Sequence, residues 1–431
     1  MYVKEVHLSN IRSIQELTWT LPDQPGPGWH VIIGDNGSGK SSFLRAIALT
    51  LVGPREALAL RQDWDEWLRW NELSGFTRLQ LAPTSGYDLV VGTSESPDDP
   101  YLLSLRFLRT PQQARPVHFL SATPDPKSSA WENGSGWFSA SYGPFRRFTG
   151  GDTEQEKLFQ SNPKLARHLS VFGESVALSE SLEWLKLLQF KKLEKDPEGN
   201  LLESLQQFIN QPDFLPNEAR LESISSKGVR FVDGNGCEVL VENLSDGYRS
   251  ILSMTFELIR QLARAYGADK IFAPGDPTTI IVPGVVLIDE IDAHLHPVWQ
   301  RRVGHWFREH FPNIQFIVTT HSPLICQAAT VGSVFRLPRP GSDEEAGMVM
   351  GVALDRLLYG NVLDAYSTGA FGDVPLRSPE ALEKLERLAI LNQKELAQGL
   401  SSEEQAEQQQ LRAQLPTASS ALPSDTEVPQ P

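Results

Sequence analysis

The segment from Gly28 to Gly53, "GWHVIIGDNGSGKSSFLRAIALTLVG", constrains the fold more than any other stretch. A short apolar run stops at a glycine-rich turn, and an apolar pattern of helical period follows at once. Leu44, Ile47, Ala48 and Leu51 share one face of that helix, and Gly53 marks its end. Within the turn, "GDNGSGKS" (Gly34 to Ser41) fits G-x-x-x-x-G-K-[ST] and stands between a strand and a helix. Gly34, Gly37 and Gly39 let backbone N–H groups curl round phosphate oxygens at the helix N-terminus. Asp35, Asn36 and Ser38 complete the loop, and Ser42 follows it. Lys40 is expected to reach the β- and γ-phosphates, and the Ser41 hydroxyl to take a Mg²⁺ position. The pattern predicts a nucleoside triphosphate site.

Two later strand ends supply groups that such a site needs. In "VVLIDEID", four apolar residues, Val285 to Ile288, bury a strand that ends on Asp289 and Glu290. Asp289 suits the Mg²⁺ shell, and Glu290 suits a general base that polarises the attacking water. "FIVTTHSP" ends a second buried strand on Thr319, Thr320 and His321. His321 follows Asp289 by 32 residues (321 − 289) with one helix between, which predicts a γ-phosphate contact. A third stretch, "VENLSDGYRSILS", places the Ser245 hydroxyl and the Gly247 N–H at the start of a helix that runs to Gly267. That is another anion site, and one nucleotide does not need two cradles from one chain.

The remaining sequence sets bounds. Strands alternate with helices around apolar runs, which predicts an α/β sheet with a parallel core. Strand-like pieces are "YVKEVHLSN", "RLQLAP", "YDLVVG", "SLRFLRT", "PVHFLSA", "VRFVD" and "EVLVE". Residues 121–153 read as loop, and 162–210 as a helical insertion. Ser378, Pro379 and Gly399 mark the cap, first turn and stop of a helix with Leu382, Leu385, Ala389 and Leu396 along one side. Ser401 and Glu404 form the capping box of a second helix, giving a helical hairpin. The end, "PTASSALPSDTEVPQP", has almost nothing to bury and is expected to be disordered.

No apolar run can span a bilayer, since "TIIVPGVVLI" is broken by Pro283 and Gly284, and Cys237 and Cys326 are the only cysteines. A cytoplasmic protein is expected. The net charge of −15 argues against a general nucleic-acid-binding surface. Arg146 with Arg147, Lys191 with Lys192 and Lys195, and Arg301 with Arg302 read as solvated charge. His294 and His296 lack a third metal ligand nearby. Asp63 and Asp65 lie in a helical, Trp-rich segment, where Trp64, Trp67 and Trp70 are packing or interface residues. No nuclease site is expected in this chain.

The phosphate loop, "LSDG", "LIDE" and terminal histidine, in this order, resemble the ATP-binding cassette ATPases. The resemblance implies ATP with Mg²⁺, and a head-to-tail dimer in which Ser245 and Gly247 cap the γ-phosphate held by the other copy. It implies that Asp292 in "IDAHLHP" belongs to the loop that signals across the dimer. The opening "VHLSNIRSIQEL" is similar to the start of SMC-, RecF- and OLD-type ATPases, which implies a nucleotide contact from Arg12. "YGPFRRF", "LSDGYRS" and "VLIDEIDAHLHPVWQ" look like compact OLD-like ATPases of bacterial defence, and the C-terminal hairpin like Septu-type and retron-associated ATPases. The glutamine loop of the family is left unassigned. The expected organisation is a cassette head over residues 1–335 with a helical insertion at about 160–215. An accessory region with the hairpin (336–414) and a tail (415–431) follow. The expected function is an ATP-driven dimeric switch in anti-phage defence that controls a separate effector, a nuclease. The alternative is a RecF-like repair ATPase that clamps DNA.

Overall fold

The computed structural model describes residues 1–21, 26–60, 62–98, 100–110, 114–118 (backbone), 127, 129–131, 135–148, 162–173, 178–372 and 377–415. Met1–Gly372 and Asp373–Pro431 form two compact units. The first is built on two sheets. Strands β1 (Tyr2–Ile11), β2 (Ile14–Thr20), β4 (Ser74–Ala82), β5 (Tyr101–Arg109) and β6 (Ala114–His118) form an antiparallel sheet in the order β2-β1-β4-β5-β6. The other sheet runs β16-β15-β3-β14-β13-β7. Its members are β3 (Gly28–Ile33), β7 (Ser139–Tyr142), β13 (Gly284–Ile288), β14 (Ile314–Thr319), β15 (Gly332–Arg336) and the short β16 (Gly347–Met348). All neighbours in this sheet pair in parallel except β15 with β16. The expected parallel α/β core is present.

Helix α1 (Lys40–Val52) lies between the two sheets, which is why it is apolar nearly all round. Ile32, Val285, Leu287 and Ile317 face α1, whereas Val31, Val286, Ile288 and Val318 face the other core. That second core is closed by α4 (Asp246–Tyr266) and α5 (Pro297–His310), through residues such as Leu252, Phe256 and Phe307. Between β7 and α4 come α2 (Glu180–Leu193), α3 (Leu201–Ile209) and a small antiparallel sheet of β8 (Arg220–Ser225), β9 (Gly228–Val232) and β10 (Glu238–Leu240), and between α4 and β13 the short strands β11 (Phe272–Ala273) and β12 (Asp276–Ile280) pair antiparallel. The insertion is tied to α4 by ionic contacts: the buried Glu257 holds Arg260 through two hydrogen bonds, and Arg260 reaches Glu180 on α2 at 3.0 Å. Among the described residues no helix is long and apolar enough to cross a membrane.

Two local expectations are corrected. "YDLVVG" is not a strand, because the buried Asp88 carboxylate accepts from the backbone N–H of Thr84 and of Trp137, both at 2.6 Å, and fixes a turn. Conversely, β7 lies inside the stretch expected to be loop. Its sequence, Ser-Ala-Ser-Tyr, has no apolar run, yet all four residues are buried beside β13.

In the second unit, α6 (Pro379–Gln398) and α7 (Ser402–Gln414) form the hairpin, with Ser378 capping α6 and the Ser401–Glu404 capping box opening α7. The apolar face of α6 differs from the expected one. Leu388 and Leu391 are buried, with Ala381 and Leu385 packed beside them, against Leu411 and Leu415. Leu382 and Leu396 face solvent. The tail beyond residue 415 lies outside the described residues.

Candidate functional site

The turn after β3 is a nest of amides closed by its own lysine. Gly37 and Gly39 have φ of 80° and 98°, in the left-handed region where a side chain is strained, so the loop curls tightly into α1. Lys40 is buried, and its Nζ donates to the carbonyls of Gly34 (2.8 Å) and Asp35 (3.0 Å). Burial pushes the Lys40 ammonium below its ordinary pKa, and the carboxylates of Asp289, Glu290, Asp35 and Asp292 oppose that shift. His321 is likewise pushed down, first by desolvation and then by Lys40, against the pull of Asp292, Glu290 and Asp35. These six groups share one electrostatic environment, so the loop and the ends of β13 and β14 converge as the sequence spacing predicts.

The carboxylates are held by strand-end threonines. Thr319 Oγ1 donates to Asp289 Oδ1 at 2.6 Å and accepts from the Glu290 N–H at 2.8 Å. Thr320 Oγ1 donates to Asp292 Oδ1 at 2.5 Å. Glu290 itself has φ of 47°, a conformation that costs a non-glycine residue about 1–2 kcal/mol. The Thr319 bond and a set of bonds from Arg146 fix it there. Arg146, read from the sequence as solvated charge, is in fact 3% exposed. Its guanidinium donates to the carbonyls of Gly143, Asp289 and Glu290. Burial lowers its pKa to about 10, so it remains a cation at neutral pH.

The chain's own groups fit a nucleotide with Mg²⁺. Ser38 Oγ is buried with no hydrogen-bond partner among the described residues, and a Cβ on Gly34 would lie 2.6 Å from it, so the cradle is tight and polar. Ser41 and Asp289 offer one hydroxyl and one carboxylate, an all-oxygen set. That suits an ion which keeps several waters and takes further ligands from phosphates.

The other expected residues lie elsewhere. Ser245 stands at the N-cap position of α4 without a side-chain cap bond, and with Gly247 it lines a concavity of about 750 Å³ together with His294, His296 and Trp299. The His296 side chain caps α5 by accepting from the Val298 N–H, which accounts for one of the two histidines. Arg12 stacks on the Trp67 ring at 4.4 Å and lines a second concavity with Arg45, Asp65, Trp70 and Arg109. Its turn touches the phosphate loop, since Ser13 and Ile14 pack against the position a Cβ on Gly39 would take. Trp64 and Trp67 are core residues of a 3₁₀ turn (Trp64–Trp67) capped by Asp63, whereas Trp70 is exposed. Thr319, Arg146 and the Arg146 partner Ser250 are the groups that sequence spacing did not single out.

An α/β head with a phosphate loop after β3, a carboxylate pair at the end of β13 and a polar helix start defines a class of nucleotide-dependent ATPase heads. Residues 30–327 match the family model described as "AAA domain, putative AbiEii toxin, Type IV TA system", and the chain belongs to that family. It is 27% identical over 340 residues to Septu protein PtuA of Bacillus mycoides (strain KBAB4), a match covering 77% of this chain and 40% of that protein. It is 40% identical over 96 residues to the Retron Vc95 probable ATPase of Vibrio cholerae serotype O1 biovar El Tor, covering 22% of this chain and 17% of that protein. The matches thus span less than half the length of these relatives. In fold it is similar to an SMC head crystallised with the C-winged helix domain of ScpA. The TM-score is 0.51 at 16% identity, over 82% of this chain and 99% of that one.

Proposed function

We propose that the chain is an ATP hydrolase that works as a head-to-tail dimeric switch in anti-phage defence and controls a separately encoded effector, a nuclease. The ATPase and defence parts are supported by the family match and by the likeness to Septu and retron ATPases. The dimer is supported by one observation above all. The concavity at the Ser245–Gly247 helix start is lined by no residue of the phosphate loop, the arrangement needed if each cradle serves a different nucleotide. In this reading the protein is cytoplasmic, and the cutting is done by its partner.

The roles follow from the geometry. On nucleotide binding, Lys40 exchanges its two loop carbonyls for phosphate oxygens, so an ammonium that is already desolvated meets a stronger counter-charge. Ser41 and Asp289 would hold Mg²⁺, which neutralises charge developing on the phosphates. Glu290, oriented through its backbone, takes a proton from water, and His321, kept neutral by its surroundings, faces the γ-phosphate. Ser245 and Gly247 of the second copy close the site.

The test is Glu290→Gln. Nucleotide should bind as in the wild type, hydrolysis should slow by roughly 10²–10⁴-fold, and ATP with Mg²⁺ should shift the variant to a dimer on gel filtration. Hydrolysis at the wild-type rate would remove Glu290 from its role. A monomer at saturating ATP would remove the dimer.

A further inference from the structure

Among the described residues the buried guanidinium of Arg146 hydrogen-bonds to no carboxylate, and what it binds instead gives it a task. Its Nη1 donates to the carbonyls of Gly143 and Asp289, both at 2.9 Å. Its Nη2 donates to the carbonyls of Glu290 (3.1 Å) and Ile291 (3.4 Å), and its Nε donates to Ser250 Oγ at 2.9 Å. All five donors' bonds go to three segments far apart in sequence. They are the exit of β7, the turn after β13 and the second turn of α4. Three successive carbonyls can converge on one guanidinium only because Glu290 reverses the chain with its positive φ. The planar fork of an arginine suits such a set, and a lysine would reach only part of it.

The placement on β7 matters as well. The Asp289 N–H donates to the Tyr142 carbonyl at 2.8 Å, so β7 and β13 end together and Arg146 closes the gap just beyond. Ser250 is fully buried on the same helix that begins with Ser245 and Gly247. The guanidinium is therefore a mechanical link between the backbone that carries Glu290 and the helix whose start forms the second anion cradle.

We propose that Arg146 is a positioning residue for hydrolysis, which holds the Glu290 carboxylate in its working orientation and couples that orientation to the start of α4 through Ser250. The proposal rests on the reading of Glu290 as the general base. It assigns Arg146 no contact with nucleotide.

The experiment compares Arg146→Met and Ser250→Ala, each in the wild-type chain and in Glu290→Gln, by binding of a fluorescent ATP analogue and by single-turnover hydrolysis. Misplacing a catalytic group costs on the order of 10²-fold, so Arg146→Met should lose about that much in rate while its nucleotide affinity changes by less than about threefold. Ser250→Ala, which removes one of five bonds, should lose about three- to tenfold, again in rate alone. In Glu290→Gln neither substitution should slow the residual turnover further, because the group they position is already gone. A multiplicative fall in that background, or equal losses in affinity and rate, overturns the proposal. If Arg146→Met does not fold, Ser250→Ala and Arg146→Lys carry the same two arms, and full rates in both overturn it. Lack of hydrolysis by the wild type would sink the ATPase reading and this proposal together, whereas normal wild-type hydrolysis with additive variants sinks this proposal alone.

Discussion

At the scale of single residues, the site divides into groups that announce themselves and groups that do not. Lys40, Ser41, Asp289, Glu290 and His321 sit in short patterns whose chemistry needs those residue types at those places. Thr319 was visible only as the last residue of a strand, yet its hydroxyl serves Asp289 and Glu290 at once. Arg146 reads as surface charge, because four of its five acceptors are backbone carbonyls, which leave no mark in a sequence. The threonine carries its own prediction. Thr319→Val keeps shape and removes the hydroxyl, leaving a buried carboxylate oxygen and an N–H without that partner. The expected outcome is a loss of about 1–3 kcal/mol in stability, a rate lower by roughly tenfold and a higher Mg²⁺ requirement, since Asp289 is freed to turn. Thr319→Ser should restore both the rate and the Mg²⁺ dependence. Kinetics over a Mg²⁺ titration checks this, and a fully active Thr319→Val would show that the hydroxyl has no part in the site.

At the scale of elements, caps were legible and registers were not. Ser378, Pro379, Gly399 and the Ser401–Glu404 box mark the hairpin ends where the sequence put them. The buried face of α6 is not legible in the sequence because several leucines compete for it, and only the partner helix decides which ones pack. Strand β7 escaped because its burial comes from neighbours on every side rather than from apolar residues of its own. Helix α4 is the element whose role is most open to direct test. Gly247 is a poor place for a probe, since a Cβ there would lie 2.9 Å from the His294 carbonyl and disturb its own chain. Ser245 is exposed, and a carboxylate at a helix N-terminus is favourable to the fold that carries it. Ser245→Glu should therefore leave the subunit intact while repelling the γ-phosphate of the other copy's nucleotide. Lys40→Ala should disable the subunit that bears it. Each variant alone should be inactive, and a mixture should regain activity, because one site of the mixed dimer carries neither lesion. A silent mixture, with subunit exchange shown by energy transfer between labelled chains, would mean that α4 acts within its own subunit or that both sites must fire together.

At the scale of the whole molecule, the parallel sheet and its phosphate loop were legible, whereas the antiparallel sheet that encloses α1 was seen only as separate strand-like pieces. Its strands pair over long distances, and no local pattern records the partner. The centre of the parallel sheet also holds a titratable group that ties the stability of the fold to pH. His30, on β3, is 5% exposed, with Nδ1 3.0 Å from Ser333 Oγ. Burial lowers its pKa from 6.5 to about 4. Between those values the unfolded chain binds a proton that the folded chain refuses, so the contribution of His30 is complete above about pH 6.5 and is lost as the pH falls toward 4. At pH 5 the loss relative to pH 7.5 is about 2 kcal/mol for this residue. His168, fully buried between Ser139 and Ser141, is shifted the same way and adds to the effect. His30→Gln removes the titration, so the variant, whatever its stability at pH 7.5, should lose less on going to pH 5 than the wild type does. Urea unfolding at the two pH values measures both losses, and equal losses would show that His30 does not set the acid sensitivity of the sheet.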